Sequence, residues 1–297
     1  MTRNNDQQSL LLSAEHIETL LTSTTAASLQ IEVQPCVTST NTLLKEAARE
    51  GAPHGKVLIA LEQTAGKGRL GRSFYSPSGT GLYISLLLRP QLPPEKATLL
   101  TTVAAVAVAR AMEEVTGESV GIKWVNDVYR NGRKLCGILT EASVSTVATA
   151  SADPALDFAI VGIGINLITP PGGFPEAIRD IAGALYETET DCPADLRPRL
   201  TAALLNYFME YYEKLPETTF LEEYRKRSFL LGQDIYVHSA LDVTGGHLGE
   251  ARLAHAEAID DELRLVVTYP DGSREALSSG EVSVRIYENT NQKNRFV

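Results

Sequence analysis

Cysteine is scarce in this chain. Its 297 residues include only Cys36, Cys136 and Cys192, and no two of them form a Cys-x-x-Cys pair. We therefore expect neither a disulfide framework nor a zinc site. The five histidines show no metal-ligand spacing. Protein side chains are not expected to hold a metal ion.

Long apolar runs are also missing. The early run at 10–12 is too short for a signal peptide, and no stretch reaches the roughly 20 apolar residues that cross a bilayer. The chain is 43% apolar and carries 37 acidic against 27 basic residues. This composition predicts a globular, cytoplasmic protein, long enough for one large domain and a small one.

Positive charge is nevertheless concentrated in one segment, residues 66–72, which we call the glycine loop. It reads Gly-Lys-Gly-Arg-Leu-Gly-Arg. Its glycines allow a ligand to approach the backbone closely, and its three cations suit a phosphate or a carboxylate. The loop matches neither a P-loop nor a Rossmann fingerprint. A flexible basic surface loop is the alternative interpretation.

The segments around this loop predict an α+β fold. Apolar runs at 57–61 and 81–88 indicate strands on either side of it. Ser39 or Thr40 is expected to cap a helix that runs through Arg49. An alanine-rich helix is predicted at 95–116. After residue 231, five short strands separated by turn signals predict a small barrel.

Three more motifs follow in order. Lys-Trp-Val-Asn-Asp occupies 123–127, Lys-Leu-Cys-Gly-Ile-Leu occupies 134–139, and Gly-Ile-Gly-Ile-Asn ends an apolar strand at 162–166. Each piece alone could be an ordinary strand end or turn. Together with the glycine loop and the Ser-Thr-Asn at 39–41, their order and spacing are far more specific.

In this combination the chain resembles the biotin protein ligases, which attach biotin to carrier proteins. The family loop Gly-Arg-Gly-Arg-x-Gly-Arg, its Lys-Trp-Pro-Asn-Asp and its Lys-x-x-Gly-Ile-Leu all have counterparts here, within a resemblance that runs from about residue 33 to 286. Two positions depart from the pattern, because Lys67 replaces an arginine and Val125 a proline. The lysine could loosen the hold on the intermediate, whereas the valine is expected to matter little.

The resemblance implies a class II synthetase-like catalytic domain. Its mixed, largely antiparallel sheet would be flanked by helices, and a small SH3-like β-barrel would follow. The expected boundaries are 1–30 for a lead with a short helix, 31–230 for the biotin- and ATP-binding domain, and 231–290 for the barrel. Ser13 is the expected cap of the helix in the lead.

The implied activity is ATP- and Mg²⁺-dependent activation of biotin, followed by transfer to a lysine of a biotin carboxyl carrier protein. Two alternatives are a lipoate ligase and a biotin-responsive DNA-binding regulator. The segment before the Ser-Thr-Asn is short and has Arg3 as its only basic residue, so DNA binding is not expected. Neither is membrane binding, whereas a homodimer is possible.

The resemblance also implies roles for individual residues. The catalytic residues would be Lys134, Arg69 and Asp127. The biotin-binding residues would be Ser39, Thr40, Asn41, Gln63, Lys67, Gly68, Arg69, Lys134, Gly137, Gly162 and Gly164. The ATP-binding residues would be Arg69, Arg72, Phe74, Asn126, Lys134 and Asn166.

Three of these residues have alternative roles that involve no ligand contact by the side chain. Phe74, expected to stack on adenine, is almost as readily a hydrophobic strand residue. Asp127, expected to orient the incoming lysine amine, could simply stabilise a turn. The Lys67 side chain could point to solvent, leaving only its backbone to contact the ligand.

Overall fold

A computed structural model describes residues 12–144, 155–239, 251–278 and 282–286. The helices are α1 Ala14–Leu20, α2 Ser23–Ser28, α3 Thr40–Arg49, α4 Thr98–Thr116, α5 Leu196–Tyr212 and α6 Leu221–Arg227, with 3₁₀ turns at Arg69–Gly71 and Pro94–Lys96. The strands are β1 Gln30–Gln34, β2 Lys56–Ala60, β3 Gly81–Leu88, β4 Gly121–Lys123, β5 Asp127–Arg130, β6 Arg133–Val144, β7 Leu156–Asn166, β8 Asp234–Ser239, β9 Ala251–Ile259, β10 Leu265–Thr268, β11 Arg274–Leu277 and β12 Val282–Ile286.

The first seven strands form one mixed sheet in the order β1-β2-β3-β7-β6-β5-β4. β1 and β2 are parallel, and every other neighbouring pair is antiparallel. β3 lies in the interior of the sheet and all eight of its residues are buried. Its continuous apolar run therefore reflects burial on both faces.

Helices cover both faces of this sheet. α3 packs Leu44 and Ala48 against Leu58 of β2 and Leu87 of β3. The strand residues that point the other way, such as Ile84, join the larger core with α4 and α5. Because successive strand side chains alternate between faces, the single run of β3 supplies both cores. The predicted α+β fold with a helix-flanked mixed sheet is confirmed.

Several predicted helix ends are also confirmed. The Ser13 and Ser39 side chains accept hydrogen bonds from backbone N–H groups in the first turns of α1 and α3. Gly117 ends α4 with a φ of 73°, in the left-handed region that favours glycine. α4 begins later than predicted because Pro94 first starts a separate 3₁₀ turn.

β8 to β12 form a second, antiparallel sheet in the order β11-β10-β9-β8-β12. A small antiparallel unit after the main sheet is thereby confirmed. β10 begins only at Leu265, because the Asp260 carboxylate accepts backbone N–H groups of Glu262 and Arg264 and forms a turn before it. The two sheets are in contact, since Trp124 Nε1 donates to the Leu263 carbonyl at 2.9 Å.

The sequence between residues 144 and 156 is small and polar without clear periodicity, which predicts a loop between two antiparallel strands, but residues 145–154 lie outside the described residues. Val144 ends β6 and Leu156 begins β7, and these neighbouring strands are antiparallel as expected. Within the described part of the chain, no helix is long and apolar enough to span a membrane.

Candidate functional site

A cleft of about 300 Å³ opens on the main sheet where β7, β6 and β5 lie side by side. The glycine loop and the start of α3 form its other walls. Every site residue expected from the sequence lines this one cleft: Ser39, Thr40, Asn41, Gln63, Lys67, Gly68, Arg69, Arg72, Phe74, Asn126, Asp127, Lys134, Gly137, Gly162, Gly164 and Asn166.

One end of the cleft is charged. Lys134 Nζ lies 2.7 Å from Asp127 Oδ1, as an ion pair rather than an aligned hydrogen bond. Asp127 begins β5 and stands opposite Gly137 of β6, which brings the two side chains to the same edge of the cleft. A lysine held in this way offers its charge to an anion while a carboxylate keeps it in place.

Arg69 of the glycine loop reaches into the same end. Its Nη1 donates to Asn126 Oδ1 at 2.8 Å, and Asn126 Nδ2 donates to the Ile138 carbonyl at 2.9 Å. Burial lowers the pKa of Arg69, whereas the nearby Asp127 carboxylate acts in the opposite direction. Because a free arginine titrates above about 12, Arg69 stays cationic at neutral pH.

The opposite end of the cleft is polar and uncharged. Gln63 Oε1 accepts the Thr40 backbone N–H at 2.9 Å, and the Thr40 hydroxyl lies 3.1 Å from the same oxygen. Gln63 Nε2 donates to Ser76 Oγ at 3.1 Å, and Ser76 in turn donates to the Phe74 carbonyl. The orientation of the Gln63 amide is therefore fixed by its neighbours.

Behind Thr40 lies a buried polar network that the sequence did not reveal. Ser85 Oγ lies 2.7 Å from Thr40 Oγ1 and 2.6 Å from Asn41 Oδ1. Asn41 Nδ2 donates to Glu141 Oε2 at 3.0 Å, and Lys45 Nζ lies 2.8 Å from Glu141 Oε1. Ser85 is a polar residue within an apolar strand run, which was the one available signal.

Glycines of β6 and β7 form a flat platform between the two ends. A Cβ on Gly164 would lie 2.6 Å from Phe74 Cε1, and one on Gly137 would lie 3.1 Å from Phe74 Cε2 and from Lys134 Cε. The Phe74 ring thus lies on the platform that was expected to leave room for biotin. The space beside Gly162 is occupied differently, because a Cβ there would lie 2.0 Å from Asn41 Oδ1.

Other predicted residues are placed at the rim. Lys67 and Arg72 are exposed on the glycine loop, while the Gly68 backbone N–H donates to the Arg72 carbonyl at 2.7 Å and holds the loop in a tight turn. Asn166 ends β7, and its Nδ2 donates to the Gly183 carbonyl at 3.0 Å. These side chains can reach a ligand that fills the cleft from the mouth.

The comparison with protein families agrees with this geometry. Residues 33–152, which include the Ser-Thr-Asn, the glycine loop and the Lys134 segment, match the Biotin/lipoate A/B protein ligase family. This region is therefore similar to the domain that defines that family. The match ends before β7. The glycines of that strand are brought to the cleft by the pairing of β7 with β6 in the sheet.

Individual proteins are similar to this chain in sequence. The bifunctional ligase/repressor BirA of Bacillus subtilis is 42% identical over 151 residues, 51% of this chain and 44% of the relative. The chain thus spans less than half of that relative's length. The biotin–[acetyl-CoA-carboxylase] ligase of Mycobacterium tuberculosis is 29% identical over 260 residues, 85% of this chain and 88% of the relative.

A solved structure shares the fold over most of its length. The biotin protein ligase from Aquifex aeolicus in complex with biotin and ATP superposes with a TM-score of 0.67 and is 27% identical in sequence. The superposition covers 87% of this chain and 99% of that chain.

Further residues line the cleft without having been anticipated. They come from the end of β4, from β5 and from the irregular segment after β7, and they are Lys123, Tyr129, Phe174, Ile178, Ile181 and Ala182. Burial raises the pKa of Tyr129, so its hydroxyl stays neutral. The segment after β7 has no sequence periodicity, which is why its apolar residues gave no signal.

Proposed function

We propose that this chain activates biotin with ATP and transfers it to a lysine of a biotin carboxyl carrier protein. The observation that carries the proposal is the division of one cleft into a polar, uncharged end at Thr40 and Gln63 and a cationic end at Arg69 and Lys134. Biotin has the same division, with a cyclic urea at one end and a carboxylate at the other.

At the polar end, the urea would meet groups of the correct type. Gln63 Oε1 and Thr40 Oγ1 can accept from a ureido N–H, and Ser39 Oγ or the Gln63 amide nitrogen can donate to the urea oxygen. The tail would then run across the platform of Gly137 and Gly164. For this the Phe74 ring must move off the platform or pack over the bound ligand.

At the cationic end, two anions must be brought together. The biotin carboxylate oxygen attacks the α-phosphorus of ATP, the bond to pyrophosphate breaks, and biotinyl-5′-AMP and pyrophosphate are formed. Lys134 and Arg69 would offset the repulsion between carboxylate and phosphate, and Arg72 would hold phosphate oxygens from the rim. Asn126 and Asn166 line the same cleft and would contact the nucleotide.

Mg²⁺ would enter with the nucleotide. Among the residues that the structure describes, no group of three acidic, histidine or cysteine side chains could hold a metal ion. In the proposed reaction the ion would be carried mainly by the ATP phosphates, as Mg²⁺ commonly is. When bound, it would withdraw charge from the phosphates during displacement of pyrophosphate.

In the second step the carrier lysine attacks the carbonyl carbon of biotinyl-5′-AMP. The bond to the phosphate oxygen breaks, AMP leaves, and the attacking nitrogen loses a proton. Asp127 lies beside Lys134 and could orient the incoming amine. We also propose that the enzyme acts in the cytoplasm, where its carrier would be found, and that it could pair as a homodimer.

The test is an assay of pyrophosphate release with ATP, Mg²⁺ and biotin, with lipoate in place of biotin as the matched control. We expect release with biotin only, and labelling of a carrier domain when one is added. Release with lipoate but not biotin would favour the other branch of the family, and no release with either acid would refute an adenylating ligase.

A further inference from the structure

Asn126 contacts a cation of the glycine loop on one side and is fixed to β6 on the other. Its Oδ1 accepts from Arg69 Nη1 at 2.8 Å, and its Nδ2 donates to the Ile138 carbonyl at 2.9 Å. The Ile138 N–H in turn donates to the Asn126 carbonyl at 3.0 Å. The Asn126 amide therefore helps to determine where the Arg69 guanidinium lies at the cationic end of the cleft.

The backbone at Asn126 is held differently from that of its neighbour Asp127. Asp127 pairs with Lys123 of β4 and with Gly137 of β6, so the sheet fixes it from both sides. Asn126 precedes β5, and its bonds to Ile138 hold it from one side. A contact with the peptide group that joins residues 125 and 126 can therefore set the direction in which the Asn126 side chain points.

Tyr224 of α6 makes that contact from outside the lining of the cleft. Its hydroxyl lies 3.1 Å from the Val125 carbonyl oxygen, which belongs to the same peptide group as the Asn126 nitrogen. A carbonyl oxygen only accepts hydrogen bonds, so Tyr224 is the donor. Tyr224 is fully buried, and burial raises the pKa of its hydroxyl, which therefore keeps its proton. Asp127 raises the same pKa and Arg69 lowers it, so both charges lie near this hydroxyl.

α6 is itself fixed to both sheets. Arg225 Nε donates to the Ile259 carbonyl of β9 at 2.8 Å, and the Arg225 guanidinium pairs with Asp261 at 2.7 Å. Just beyond the end of α6, the Phe229 N–H donates to the Ile122 carbonyl of β4 at 3.3 Å. The position of the Tyr224 hydroxyl is thus set by the packing of α6 and needs no ligand in the cleft.

We infer that Tyr224 is a positioning residue for the adenylation step. By holding the Val125 carbonyl it fixes the peptide group of Asn126, and Asn126 then holds Arg69 where charge develops on the α-phosphate. Charged groups that are oriented in advance stabilise the transition state most, and a displacement of about 1 Å can lower a rate about 10²-fold. The inference rests on the proposed function, which supplies the reaction.

Tyr224→Phe tests this by removing the hydroxyl and keeping the ring. Pyrophosphate release with biotin, ATP and Mg²⁺ gives kcat and KM, and calorimetry without ATP gives the dissociation constant of biotin. We expect kcat to fall roughly 10-fold, because Arg69 is no longer held in one orientation. The dissociation constant should change by less than about threefold, because the urea and tail of biotin would bind at the polar end and on the platform.

A second variant shows whether Tyr224 acts through Asn126. Asn126→Ala should lower kcat at least as far as Tyr224→Phe does. Adding Tyr224→Phe to Asn126→Ala should then change kcat by less than about threefold more, because residues that act through one another are not additive. Equal factors in both backgrounds would contradict the inference, and so would an Asn126→Ala chain with the kcat of the wild type.

Tyr211→Phe is the matched control. Tyr211 is also buried, and its hydroxyl accepts from Arg110 Nη1 at 3.1 Å, between α5 and α4. The same chemical change at this position should leave kcat, KM and the dissociation constant of biotin unchanged. A similar fall of kcat in both tyrosine variants would overturn the inference, because the loss of any buried hydroxyl would then be sufficient.

The outcomes separate the two proposals. A wild-type chain that releases no pyrophosphate with biotin refutes the proposed function and this inference with it. An active wild-type chain whose Tyr224→Phe variant keeps its kcat, or loses biotin affinity by the same factor as kcat, refutes the inference alone. A Tyr224→Phe chain that shows no thermal unfolding transition also refutes it, because the hydroxyl would then be supporting the whole fold.

Discussion

Replacing Gly162 with alanine should disturb the buried polar network, whereas the same change at Gly164 should affect only the open cleft. Gly162 lies in the interior strand β7, directly opposite Ser85 of β3. A Cβ there would lie 2.0 Å from Asn41 Oδ1, 2.7 Å from its Cγ and 2.9 Å from its Nδ2. Normal contacts are about 3.5 Å or more, so the Asn41 amide must be displaced.

The expected loss of stability follows from the hydrogen bonds that the Asn41 amide makes. Asn41 contacts Ser85, the Leu139 carbonyl and Glu141 through three hydrogen bonds. At about 0.5–1.5 kcal/mol for each net hydrogen bond, their loss should lower the free energy of unfolding by roughly 2–4 kcal/mol. This is a large share of the 5–15 kcal/mol that is typical for a folded protein.

Gly164→Ala is the comparison, because it makes the same chemical change two residues further along β7. A Cβ there would meet only ring atoms of Phe74, at 2.6 to 3.0 Å. That ring is half-buried and sits at the end of the glycine loop, so it can swing away. We expect a loss below about 1 kcal/mol in stability, together with weaker binding of biotin.

The assay is urea unfolding of both variants followed by tryptophan fluorescence, with biotin affinity measured alongside. Gly162→Ala should show the larger fall in the urea midpoint, and both variants should bind biotin more weakly. If the two midpoints fall equally, or neither changes, then the Asn41 amide is not held as described and the reasoning fails.

Four further outcomes are expected. Lys134→Ala should lower the rate of pyrophosphate release by about 10²–10³ without changing the melting temperature, and a variant that keeps half of its rate would reject the assignment. Lys67→Arg should slow the dissociation of biotinyl-5′-AMP, since arginine offers several fixed donors, and an unchanged off-rate would leave this side chain without a role. Trypsin should cut after Lys67 more slowly when biotin and ATP are present, whereas equal cutting would contradict a loop that closes. Trp124→Phe leaves the Leu263 carbonyl without its donor and should lower the free energy of unfolding by about 1–3 kcal/mol, so a wild-type urea midpoint would show that the contact contributes nothing.

The cleft itself could be anticipated because its motifs are local. A glycine-rich cationic turn between apolar runs, a serine at a helix start and glycines in a strand each have meaning from a few neighbouring residues. The predicted site residues do line one cleft. Their individual roles stay predictions, and Phe74 illustrates why: its ring lies on Gly137 and Gly164, among residues predicted for biotin.

The network of Lys45, Glu141, Asn41 and Ser85 could not be anticipated in the same way. Its members come from one helix and two strands, and the contacts of Asn41 join residues 44 and 100 positions apart. Nothing in the residues next to Glu141 shows that it will face a lysine of α3. The irregular segment after β7 gave no signal for the same reason, because its place at the cleft depends on what it packs against.

By itself, the sequence determined the kind of fold, the helix caps and many of the residues that line the cleft. Hydrophobic periodicity, helix capping and turn chemistry depend on residues that are neighbours in the sequence, so they can be recognised from the sequence alone. Only the tertiary structure decided which polar groups meet and which of them donates. Strand register and helix placement are settled by packing of the whole chain, and a hydrogen bond exists only after both of its partners have been brought together.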